Sequence, residues 1–227
     1  GSLHPVDDAW LARARTAFPA LGMLPRPRVA LLLGGPTRHA PWDGAALQAW
    51  LRQVEALVAS EGGSLLLCGS RRTPSSLRAL ARDAAPQLAG VRWIDAADGD
   101  NPYPGVLAWA DRMACTADSV NMLSEACATW APVFVAGMTP GSGGVQGRTR
   151  GFLEALQALE RIRALEAGMP RFEVQPLRET ARVAAEAPAR RRRYACCRPC
   201  GRQAAPIAAR AAAIASSTGT RRWRRSR

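Results

Sequence analysis

The chain has no lysine; all 31 of its basic residues are arginine. It has only two histidines, His4 and His39, and no Gly-x-Ser-x-Gly elbow, which argues against a hydrolase triad. With so few histidines and with its carboxylates scattered, no metal site is expected. No apolar run approaches the roughly 20 residues of a membrane-spanning helix. The start, Gly1-Ser2-Leu3-His4-Pro5, lacks the basic-then-apolar order of a secretory signal and reads as a cloning scar or an internal start. A disulfide framework is missing too. Cys68, Cys115 and Cys127 lie singly in apolar segments and read as buried thiols, which suits a reducing, cytoplasmic setting. Cys197-x-x-Cys200 has no second ligand pair, so it does not read as a zinc site.

Acid is also missing, but only from one end. Of the 227 residues, positions 187–227 hold 12 arginines and no Asp or Glu, whereas positions 1–186 hold 19 arginines and all 18 acids. The net charge of +13 therefore belongs almost wholly to the tail. Its Arg190-Arg191-Arg192-Arg193 run and alanine-rich stretch have no helical or strand period. Residues 187–227 read as a basic disordered or out-of-frame tail, able to bind polyanions only nonspecifically.

What is present ahead of the tail is alternation. Arg28–Leu33 is a short apolar run closed by Gly34-Gly35-Pro36, a buried strand entering a tight loop. Asp43 can cap the next helix, whose stripe is Leu47, Trp50, Leu51, Val54, Leu57 and Val58, and Gly62-Gly63 ends it. Ser64–Cys68 is a second strand. Thr73-Pro74 reads as the start of a helix with a capping hydroxyl. Val91–Ile94, Arg112–Cys115 and Pro132–Ala136 read as further strands, with a short helix over Pro104–Ala110 and another after Asp118 or Ser119. One long helix is expected through Phe152, Leu156, Leu159, Ile162 and Leu165, and a last one over Leu177–Glu186. The fold class is α/β: an open parallel sheet of five or six strands with flanking helices, Rossmann-like, with a linker and N-terminal helix in 1–27 and the domain in 28–186. Such sheets bind ligands beyond their strand C-termini.

Candidate chemistry gathers there. Thr116-Ala117-Asp118-Ser119-Val120 lies between a strand and a helix, whose free N–H groups and positive dipole end suit a phosphate. Glu125 follows Asp118 by seven residues, on the same helical face, and could accept from ribose hydroxyls. A capped helix with a solvated Glu125 is the competing reading. Gly34 and Gly35 permit close backbone approach, and Arg38 could meet an anion. Ser70, Arg71 and Arg72 put two guanidinium groups at a helix start, or else form a solvated basic loop. Arg148 and Arg150 are weaker versions of the same. Gly141-Ser142-Gly143-Gly144 follows the fifth strand, the wrong place for a dinucleotide fingerprint.

The segments GGPTRH (34–39), SRRTP (70–74), NPY (101–103), TADSVNMLSEA (116–126), PVFV (132–135) and PLRETARVA (176–184) occur in an order that resembles the mitochondrial-fission elongated-mitochondria family, in particular its bacterial members. That resemblance implies the C-terminal, nucleotide-binding half of a GT-B glycosyltransferase-like protein. It implies a donor pyrophosphate on Ser119 and Val120, the ribose on Glu125, and Gly34, Gly35 and Arg71 flanking the diphosphate. A nucleotide-sugar is then a substrate, and no cofactor is implied. The acceptor half would lie ahead of Gly1, so this stretch alone is expected to be inactive. Trp130-Ala131 stands where the family has a small residue, which predicts crowding at the turn or pocket mouth. A noncatalytic adaptor that recruits a protein partner, as the plant members imply for a fission dynamin, is the alternative. Either would act in the cytoplasm or at its membrane face.

Overall fold

The computed structural model describes residues 2–138 and 144–178. All of them belong to a compact unit that ends at Ala185. The elements run α1 (Asp8–Ala17), α2 (Pro19–Gly22), β1 (Arg28–Leu32), α3 (Gly44–Glu61), β2 (Ser64–Cys68), α4 (Ser75–Arg82), β3 (Gly90–Trp93), α5 (Tyr103–Trp109), β4 (Arg112–Thr116), α6 (Val120–Cys127), β5 (Val133–Ala136), α7 (Gly147–Ala158) and β6 (Ile162–Ala164).

The six strands are all parallel, in the order β3-β2-β1-β4-β5-β6. Strand alternation divides the core. Val29, Leu31, Leu65, Leu67, Ala114 and Phe134 face α3 and α4. Ala30, Leu32, Leu66, Met113, Val133 and Val135 face the layer of α1, α5, α6 and α7. α3 shows how local sequence sets an element. Asp43 accepts the Ala46 N–H at 2.9 Å, and Gly62, at φ 66°, ends the helix in a left-handed turn. Its buried Leu47, Leu51, Val54, Leu57 and Val58 contribute on the order of 10 kcal/mol before conformational entropy is subtracted. Residues 2–27 are packed into the unit, with Val6, Leu11, Ala14 and Leu21 in the core. Cys68, Cys115 and Cys127 are buried free thiols, and burial pushes Cys68 up to about 12 and Cys127 to about 11.

One sequence expectation fails at the C-terminal side. The long helix through Leu165 stops at Ala158; Glu160 turns the chain at φ 51°, and Ile162–Ala164 pairs with β5 as a sixth strand. Leu159, expected on the buried face, is 62% exposed. The expected last helix lies almost wholly outside the described residues, which end at Arg178; Leu177 and Arg178 themselves are not helical. Leu177 N–H instead donates to Cys127 O, and Arg178 pairs with Asp8 of α1.

The turn into β6 carries Arg161, 1% exposed. Its Nε donates to Cys127 O at 2.9 Å, and its Nη2 to Ala126, Thr129 and Ala131 carbonyls at 3.2, 2.9 and 3.1 Å. These carbonyls close the C-terminal end of α6, where a cation meets the negative end of the helix dipole.

Arg161→Ala should leave the Thr129 and Ala131 carbonyls without a donor and open a cavity, lowering unfolding free energy by about 3–5 kcal/mol in urea titration. A loss below about 1 kcal/mol would mean that water replaces the guanidinium.

Candidate functional site

β1 lies between β2 and β4, and chain order reverses across β1/β4, so the crevice of this fold opens at the C-terminal ends of those two strands. Three loops meet there: Gly34-Gly35 after β1, Ser70–Thr73 after β2 and Ala117–Ser119 after β4.

They are joined by a small polar network. Gly34 N–H donates to Thr116 Oγ1 at 2.8 Å, and Gly35 N–H to Asp118 Oδ2 at 2.8 Å. Trp42 Nε1–H donates to Asp118 Oδ1 at 2.9 Å, and Arg72 lies 3.4 Å from Oδ2. The Asp118 side chain is fully buried. Thr73 Oγ1 donates to Gly34 O at 2.6 Å and accepts from Ser70 N–H at 3.0 Å. Both glycines are required by this approach. A Cβ on Gly34 would sit 1.9 Å from Asp118 Oδ2, and one on Gly35 would sit 2.2 Å from Arg72 O.

The network brings Gly34, Gly35, Ser70, Arg72, Thr116 and Asp118 together. It also changes their expected roles. The two glycine N–H groups are directed at protein oxygens, and Asp118 braces loops instead of capping α6. Ser119 is the residue at the cap position, yet its side chain makes no capping bond. Among the described residues, the N–H groups of Val120, Asn121 and Met122 have no protein acceptor. The Thr73 hydroxyl likewise does not cap α4, which starts uncapped after Pro74. Arg71 is exposed, and its guanidinium has no protein partner among the described residues. Arg38 is exposed and donates to His39 Nε2 at 2.8 Å; it is not part of the network. His39 O accepts Gln146 N–H at 2.7 Å, which brings that loop against the start of α7, near Arg148 and Arg150. The Gly141-Ser142-Gly143 stretch lies outside the described residues.

Glu125 is not a freely solvated side chain. It is half-buried on α6, and Tyr103 Oη donates to its Oε2 at 2.6 Å. Burial first, then the adjacent Glu125 charge, push the Tyr103 phenol well above its ordinary range. His4 is buried nearby, where burial lowers it and Glu125 raises it. Trp42, Thr73 as a loop brace, Tyr103 and His4 were missed from the sequence. Only the NPY segment carried a signal for any of them.

Trp130 does not crowd the crevice. It lies before β5, at the opposite end of the sheet, 55% exposed, with its indole donating to Asp8 at 2.9 Å. A cavity of about 340 Å³ at that end is lined by Arg15, Arg26, Asp111, Trp130 and Arg171. Among the described residues, no cluster of His, Cys, Asp and Glu could hold a metal ion, and no helix is long and apolar enough to cross a membrane.

The family described as Mitochondrial fission ELM1 matches residues 1–190. The Mitochondrial fission protein ELM1 of Arabidopsis thaliana is 34% identical over 139 residues, covering 60% of this chain and 32% of that protein. The chain thus spans about a third of the length of this relative. Among solved structures, a glycosyl transferase family 9 protein from Veillonella parvula DSM 2008 aligns with a TM-score of 0.42 at 9% identity, over 83% of this chain and 53% of that one.

Asp118→Ala should strand the Gly35 and Trp42 N–H groups and lower the Tm by roughly 10 °C in scanning calorimetry. Asp118→Asn, which keeps one acceptor, should fall between. Equal melting of wild type and Asp118→Ala would show that the carboxylate does not hold the loops.

Proposed function

The chain belongs to the mitochondrial fission ELM1 family, and from that premise we propose that it binds a nucleotide-sugar at the β1/β4 crevice, as the donor half of a GT-B-like, glycosyltransferase-related protein. The observation that carries this reading is the start of α6. Its first N–H groups lack a protein acceptor, a serine stands at the cap, and a half-buried carboxylate follows within two turns. A diphosphate suits the first feature and a ribose diol the last. Arg71, exposed on the neighbouring loop, supplies a cation without a protein partner among the described residues. In transfer, these groups would position the donor and stabilise the leaving diphosphate, and a base would come from elsewhere in the protein. The setting would be the cytoplasm or its membrane face.

One observation favours a second reading, a noncatalytic adaptor. The Gly34 and Gly35 N–H groups find their acceptors within the protein, in Thr116 and Asp118. A surface that recruits a protein partner would survive loss of Glu125.

Titration calorimetry of UDP-, GDP-, ADP- and CMP-sugars into the 227-residue chain separates the two. The donor reading expects one base to bind saturably, with Glu125→Ala weakening it by about 1.5–3 kcal/mol. Silence from all four with a folded protein sinks the donor reading. Partner capture unchanged by Glu125→Ala would support the adaptor.

A further inference from the structure

We propose that Tyr103 is a positioning residue: it fixes the Glu125 carboxylate for the ribose diol and thereby makes the crevice select ribonucleotides over 2′-deoxyribonucleotides. This rests on the crevice being the nucleotide site proposed above. The NPY segment supplies the device. Asn101 Oδ1 accepts the Tyr103 N–H at 2.9 Å and so seats the first residue of α5. From there the phenol reaches across to α6 and donates to Glu125 Oε2 at 2.6 Å. The same phenol lies near the buried, uncharged thiols of Cys68 and Cys115. Cys68 ends β2 and Cys115 is the penultimate residue of β4, which puts the pair at the crevice end of the sheet.

The chemistry follows from counting acceptors. A carboxylate has two oxygens and donates nothing. Tyr103 occupies Oε2, and His4 lies close enough to Glu125 for the carboxylate charge to act on its imidazole. The oxygen that remains suits the hydroxyls of a ribose. An unrestrained glutamate loses rotamer freedom when it binds; one already held by a buried phenol loses less. A 2′-deoxy sugar keeps its 3′-hydroxyl but offers this carboxylate one donor fewer, so a site arranged this way binds it more weakly than the ribose.

The test uses the 227-residue chain with UDP, GDP, ADP and CDP and their 2′-deoxy counterparts. The arginine tail meets the phosphates of both sugars alike, so its contribution cancels in the ratio of affinities. Wild type should prefer the ribonucleotide of its base by roughly ten- to hundredfold. Tyr103→Phe, which removes only the hydroxyl, should reduce that ratio at least about fivefold while leaving 2′-deoxy affinity within about twofold. In a Glu125→Ala background, where the ratio is already near one, Tyr103→Phe should change nothing further. If Tyr103→Phe lacks a cooperative melt, Asn101→Ala, which loosens the start of α5 and leaves the phenol intact, should also lower the ratio. A full ribose preference retained in Tyr103→Phe or, in that case, Asn101→Ala overturns the positioning role and leaves the nucleotide site standing. So does a wild type that binds both sugars equally. A wild type that binds no nucleotide overturns the site itself and the inference with it.

Discussion

The buried carboxylate of Asp118 is the constraint around which the crevice is built. An ionised group with no solvent contact must find its hydrogen bonds in the protein. Here the donors come from three separate places: the backbone of the glycine loop, the indole of Trp42 and the guanidinium of Arg72. Each binds Asp118 only if β1, β2 and β4 are adjacent, as the sheet order makes them. The glycines then follow from contact distance. Neither position has room for a Cβ once the carboxylate and the β2 loop are in place. Arg72 is the weakest of the three, since its side chain is 54% exposed and solvent screens it. The backbone and indole donors hold the carboxylate.

The two ends of the sheet are polarised by where arginine is used. Arg15 donates to Ala108 in the last turn of α5, Arg161 to the end of α6, and Arg92 to the Ala84, Ala85 and Leu88 carbonyls just past α4. Arg28 closes carbonyls of Gly22 and Leu24. Many of the arginines in the folded unit are therefore donors to backbone carbonyls, which is a structural use of charge. At the crevice end the pattern is reversed. α4, α6 and α7 each begin without a side-chain cap. Apart from α3, which Asp43 caps, these positive helix ends are left open where the strands point.

The strands were legible because each is a short apolar run bounded by glycine, proline or acid, and four to five residues suffice to mark it. β6 was not. It has three residues, and Leu159, Ile162 and Leu165 continue a helical spacing that periodicity cannot distinguish from a turn followed by a strand. What decides it is the burial of Arg161 and pairing with β5, both tertiary. The loops of the site were legible for the same reason as the strands: glycine, serine and arginine at strand ends have few other uses. Their partners were not. Trp42 and Asp118 are 76 residues apart, and Tyr103 and Glu125 are 22 apart, on separate helices or loops. Local pattern gave Asp118 the role of a cap, because Asp before a helix usually caps it; the fold gives its oxygens to donors that no local rule could supply.

This division explains why the glycine loop after β1 lacks a dinucleotide fingerprint and yet opens a Rossmann-like crevice. In a fingerprint loop, backbone N–H groups approach the pyrophosphate. Here Gly35 N–H donates to Asp118, so a negative charge belonging to the protein already lies on that side. A second anion placed against it would meet repulsion at short range. On the proposed reading the diphosphate must therefore lie on the other side, over the start of α6, where N–H groups lack protein acceptors and Arg71 is exposed. That placement puts the sugar nearer to α6 than to β1, within reach of the second turn, where Glu125 stands. On that reading the closed half of the crevice and the open half are one design: the buried carboxylate that holds the loops together would also determine which helix is left to hold a ligand.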